Sequence, residues 1–133
     1  MLYESGNWTY NINHFPGNIG QGTRTMMSWT NVSKYAQSIH ADAYTAAIGS
    51  VDVSAADNTT KTKVINLVLN NEDSFGAGFW YLKTQAPSYH NNPTALRDGS
   101  VEDFQAYVEQ GIGTTWNAER EDIWTKVNSA IMF

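Results

Sequence analysis

Between Asn7 and Gly22 this chain cannot sustain a helix. The stretch holds three glycines, one proline and four asparagines, residues that favour turns and break regular structure. Any fold it adopts must therefore begin with an irregular lobe. Regular structure has to come from the residues beyond Gly22. From Thr23 the pattern changes: Met26, Met27, Trp29, Val32, Tyr35 and Ala36 recur at helical spacing and predict a helix over 23–38.

The rest of the chain reads as helices separated by polar loops. Residues 49–60 look like a loop. The apolar run Val64, Ile65, Leu67, Val68, Leu69, flanked by Lys61, Lys63 and Asn70, predicts a buried helix. Ser74 is a candidate cap for the next helix, with Phe75, Phe79 and Leu82 on one face. That helix should stop near Ala86, because Pro87 disfavours helical geometry in the residue before it. Residues 87–99 form a loop. Ser100 to Asp103 is a capping-box variant opening a helix through Phe104, Tyr107 and Val108, which ends at Gly111 or Gly113. Asn117 caps a last helix whose core stripe is Ile123, Val127 and Ile131, joined by Trp124. The expected fold is mainly α, with an irregular or hairpin-like lobe at the start.

At 133 residues and 14.8 kDa the chain is expected to be one domain over 1–133. Its net charge of −5 argues against a nucleic-acid partner, because phosphate binding wants a basic face. No apolar run approaches the roughly 20 residues of a membrane span, so no membrane partner is expected. Cysteine is absent, which removes disulfides, thiolate metal sites and cysteine nucleophiles. Three sequons, Asn7-Trp8-Thr9, Asn31-Val32-Ser33 and Asn58-Thr59-Thr60, favour secretion. The missing cysteines pull toward a reducing compartment.

Glu4 is the candidate catalytic residue. It follows Tyr3 and precedes Trp8 and Tyr10, so an apolar surround can raise its pKa and let it protonate a glycosidic oxygen. It reads equally as a solvated carboxylate near a terminus. Gln21 lies between Gly20 and Gly22, where small neighbours allow close approach; its amide suits a sugar hydroxyl or N-acetyl group. Trp8 and Tyr10 offer stacking faces, and Asn13 and His14 offer polar contacts. The same residues serve a surface loop built on side-chain turns equally well. A second carboxylate would come from Asp42, Asp52, Glu72 or Asp73, and spacing selects none of them. His14, His40 and His90 lack metal-ligand spacing, so no metal or other cofactor is expected.

Glu4-Ser5, followed by Gly17, Gly20 and Gln21, resembles the lysozyme-like superfamily, in particular goose-type lysozymes and soluble lytic transglycosylases. The segments from Gly76 to Gln85 and from Gly113 to Thr115, with Arg120, resemble fungal secreted proteins with a lysozyme-like domain. The resemblance implies a lysozyme-like α+β fold and a monomer. It implies a muramidase-type glycoside hydrolase acting on a β-1,4-linked N-acetylated glycan, peptidoglycan or chitin. Glu4 would be the general acid, and Gln21 would line the cleft. In that family a long helix ends at the glutamate. Three residues cannot form one, so the domain is expected to lack it. The alternatives are a non-catalytic glycan-binding module and a protein-interaction module.

Overall fold

The computed structural model describes residues 1–92, 94–97 and 99–131. Seven α-helices form among them: α1 (Trp29–Ile39), α2 (Ala41–Ile48), α3 (Asn58–Asn66), α4 (Asn71–Thr84), α5 (Pro87–His90), α6 (Val101–Ala106) and α7 (Ala118–Ile131). A 3-10 turn spans Val53–Ala55, and α6 runs directly into a π-helical segment, Tyr107–Ile112. No strand forms among the described residues. The lysozyme-like α+β expectation is therefore corrected: the starting lobe contains only two isolated bridges, Ile12 with Gly22 and Gly22 with Met27. The chain divides into two compact units, Met1–Gly78 and the residues from Phe79 onward.

The first unit is built on α1, which packs against α2, α3 and the 3-10 turn. Val32, Ser33, Tyr35 and Ala36 form its buried face, at the spacing a single helix stripe requires. The buried residues of the helices packed on it are Tyr44 and Ile48 of α2 and Val64 and Ile65 of α3, and Val68 just beyond is buried too. The helix expected over 23–38 begins only at Trp29. Thr23 and Met26 hold left-handed backbone at φ 65° and 49°, which an α-helix cannot contain. Met27 instead exchanges backbone hydrogen bonds with Gly22, at 2.8 and 3.1 Å.

Two joints fix the helices of this unit. The His40 amide donates to Ala36 O and closes α1, while its carbonyl accepts from Tyr44 N and opens α2. Inside that corner Ser33 Oγ and Tyr44 OH lie 2.8 Å apart and satisfy each other. α3 starts where Asp57 accepts the amide of Thr60 at 2.7 Å, an N-cap bond of the ordinary kind.

The predicted cap of α4 is replaced. Asn70, not Ser74, accepts the amide of Asp73 at 3.0 Å. Ser74 lies buried one turn inside the helix and accepts the amide of Arg24 through Oγ. Phe75 and Phe79, expected on one face of this helix, are 37% and 77% exposed. The buried residues of α4 are Ser74 and Ala77, so small side chains occupy its inner face.

In the second unit the local signals hold. Ser100 accepts the Asp103 amide at 3.2 Å, Asn117 accepts the Arg120 amide at 2.9 Å, and Gly113 ends the π-helical segment at φ 76°. The loop expected over 87–99 includes the short α5, with Pro87 at its start; Pro93 and Asp98 lie outside the described residues. The stripe of α7 differs from expectation. None of its residues is buried, and Val127 and Ile131 are 37% and 64% exposed.

Candidate functional site

The proposed sugar-binding residues separate into two groups. Asn13 and Gln21 do come together, but to hold the chain. Asn13 Nδ2 donates to Gln21 Oε1 at 2.7 Å, and Gln21 Nε2 donates to Met26 O at 2.9 Å. Asn13 Oδ1 accepts the Phe15 amide. Both ends of each amide are thus occupied within the lobe, and Gln21 braces the bend that delays α1. His14 is exposed, and Tyr10 is 54% exposed with its ring against Gly6. Glu4 sits half-buried in the turn-rich opening segment.

Trp8 belongs to a different cluster. Gly6, Asn7 and Trp8 turn left-handed in succession, at φ 55°, 56° and 68°. For tryptophan this is an uncommon and strained conformation. Ser5 Oγ receives the Trp8 amide at 3.0 Å, and Arg24 Nη1 donates to Trp8 O at 2.5 Å. The Trp8 ring lies 5.1 Å from the Phe75 ring at a 50° tilt. Arg24 sits over Phe75 at 5.4 Å, a cation–π distance. The Arg24 Nε is buried without a hydrogen-bond partner. Trp8 and Phe75 remain 39% and 37% exposed. The result is a partly open aromatic face edged by a cation. Spacing alone gives no sign that Arg24 and Phe75 join Trp8, because the contact needs the left-handed turn.

A second arrangement joins His40 to Asp73. His40 Nε2 and Asp73 Oδ2 are 2.7 Å apart. Asn70 Nδ2 donates to the same carboxylate oxygen at 2.5 Å. Tyr35 OH donates to the Asp73 carbonyl at 2.8 Å. Burial pushes the Asp73 carboxyl up. The hydrogen bonds from His40 and Asn70, and the His40 charge, outweigh it and hold the group below its ordinary value. Burial chiefly, with the charges of Asp73 and Glu72, pushes the Tyr35 hydroxyl up to about 12. A carboxylate–histidine couple is a familiar way to polarise an imidazole. Here its carboxylate is also the third residue of α4 and part of that helix's cap, so the couple ties the α1–α2 corner to α4.

Among the described residues no three His, Asp or Glu side chains gather as metal ligands. No helix among them is long and apolar enough to cross a membrane.

No protein-family model matches the chain, and no solved structure matches it. A curated protein from Fusarium oxysporum (strain Fo5176), a bifunctional dioxygenase (DOX)-epoxy alcohol synthase (EAS), is 32% identical over 114 residues. The match covers 86% of this chain and 9% of that protein, so the chain spans about a tenth of the relative's length. This similarity overturns the expectation of a muramidase-type, carbohydrate-binding glycoside hydrolase. The geometry agrees: the amides assigned to a sugar, on Asn13 and Gln21, are satisfied by each other and by the backbone.

Proposed function

We propose that this chain is a non-catalytic helical module that serves an oxygen-inserting enzyme whose reacting centre lies in other polypeptide sequence. The observation that carries this reading is the match to a dioxygenase–epoxy alcohol synthase, which takes in 86% of this chain within 9% of that protein. A stretch of that size containing its own buried core is a portable unit. The two ionisable features of the first unit fit the same reading. Asp73 is absorbed into a helix cap, and Glu4 lies in a self-bonded turn segment whose amides return to Met1, Leu2 and Tyr3.

The contact face is the Trp8–Phe75 pair edged by Arg24. Aromatic residues and arginine are the side chains that recur at the energetic centres of interfaces. The left-handed strain at Trp8 is an outlier of the kind that accompanies function.

A chimera tests the proposal. This chain replaces the matching 114 residues of the Fusarium protein, and oxygen uptake and epoxy alcohol formation are measured. Both should persist, and they should also persist when His40→Gln or Glu4→Gln is introduced. Loss of turnover in a folded chimera carrying either substitution would place chemistry in the module and defeat the reading.

A further inference from the structure

The three sequons are equal as sequence but not in the fold. Acceptance of an N-glycan needs an asparagine whose amide can stand in solvent once the chain has folded, with a hydroxyl two residues on. Asn31 fails this on α1. It is half-buried, Val32 beside it is wholly buried, and the Ser33 hydroxyl is 1% exposed and committed to Tyr44. A glycan at Asn31 would have to leave from the helix on which α2 and α3 pack.

Asn58 itself is more open, while its sequon hydroxyl on Thr60 is half-buried and bonds the Asp57 carboxylate. Asn58 is the first residue of α3, and Asp57, Asn58 and Thr59 are all exposed. Asp57 caps the helix by taking the Thr60 amide, so the cap does not need the Asn58 side chain. The Asn58 carbonyl accepts from Thr62 Oγ1. The backbone is therefore fixed by its neighbours, and the side chain is carried outward on a rigid element.

We infer that Asn58 is an N-glycan acceptor site and that Asn31 is not. In the transfer, the Asn58 side-chain nitrogen forms a bond to the anomeric carbon of an oligosaccharide. The bond from that carbon to a lipid-linked diphosphate breaks. The diphosphate leaves with the electron pair, and the nitrogen gives up one proton. No oxidation or reduction is involved. The attached sugar stands off the first residue of α3, about two turns before the buried Ile65.

The test uses the full chain behind a cleavable leader in a eukaryotic secretory host, with Asn7→Gln so that only two sequons remain. Secreted, leader-cleaved protein is digested, and its peptides are weighed before and after removal of N-glycans. The expected result is a glycan on the Asn58 peptide in most molecules, none on the Asn31 peptide, and its disappearance in Asn58→Gln. Circular dichroism should show the same helical content with and without the sugar. A bare Asn58 in leader-cleaved protein overturns the inference. So does a glycan on Asn31 in folded, secreted chain.

Discussion

Asp73 receives His40 Nε2 at 2.7 Å and Asn70 Nδ2 at 2.5 Å on the same oxygen, so one carboxylate oxygen joins the α1–α2 corner to the cap of α4. Its pKa is depressed in the fold against a reference near 3.9. Below its reference value the unfolded chain binds the proton first, so stability rises with pH there. The contribution is fully present above the reference carboxylate pKa and is lost as pH falls through the folded value. Asp73→Asn should destabilise the chain by about 1 kcal/mol at neutral pH, below the range for a hydrogen bond to a charged group because His40 is partly exposed and solvent screens the pair. Urea midpoints from acid to neutral pH should differ between the two proteins at neutral pH and converge in acid.

Gly22 stands at the crossing of both bridges. A Cβ there would sit 2.6 Å from Ile65 Cδ1 and 2.7 Å from the Asn11 carbonyl oxygen. The isoleucine tip can move, but the carbonyl belongs to backbone and cannot. Gly22→Ala should cost about 1–3 kcal/mol, the range for overpacking. A thermal melt of the purified variant reads this directly, and an unchanged melting temperature would contradict the crowding.

Ile65 and Phe79 make a contrasting pair. Ile65 is fully buried, while Phe79 is 77% exposed. Truncating Ile65 to alanine should cost about 2–5 kcal/mol through lost burial and the cavity left behind. Phe79→Ala should change stability by no more than about 0.5 kcal/mol. Chemical denaturation of both variants checks the difference, and equal losses would place Phe79 in a core.

Tyr35 and Tyr107 should resist ionisation. Burial chiefly, with charge from Asp73 and Glu72, lifts Tyr35 to about 12; burial chiefly, with Tyr81, lifts Tyr107 to about 12. Both values stand above the reference near 10. The stability these hydroxyls contribute is complete below that reference and falls as pH climbs from it toward 12. A tyrosinate absorbance titration should lose its late-rising component in part in Tyr35→Phe and in part in Tyr107→Phe. An early, single rise in the parent protein would contradict both.

Three caps and stops of the second unit are legible in the sequence because they are written in adjacent residues, whereas the cap of α4 falls to Asn70 in place of Ser74. Ser100, Asn117 and Gly113 each act within three or four positions, and each appears where its chemistry places it. The burial of Val64 and Ile65 is legible from the apolar run, but its helix is displaced: α3 starts at Asn58, inside the expected loop, and ends at Asn66 before Leu67, Val68 and Leu69. What covers a face is not legible. The spacing of Phe75 with Phe79, and of Val127 with Ile131, marks a side of a helix and says nothing about what lies opposite. The start of α1 is hidden because left-handed backbone at Thr23 and Met26 is uncommon for those residue types. In the candidate site, residue chemistry groups Asn13 with Gln21 but does not tell a sugar from the chain's own backbone as their partner. The His40–Asp73 contact crosses 33 positions, a distance over which residue order carries no signal.

The π-helical segment Tyr107–Ile112 gives the second unit a place where chain length is negotiable. An ordinary helix that loses one residue turns everything beyond it by about 100°, since 3.6 residues complete a turn. A widened coil already holds one residue more than that spacing needs. Shortening Tyr107–Ile112 by one should tighten the coil to normal pitch and leave Thr114 and the residues after it in phase. Natural insertions and deletions within this helix should therefore collect there.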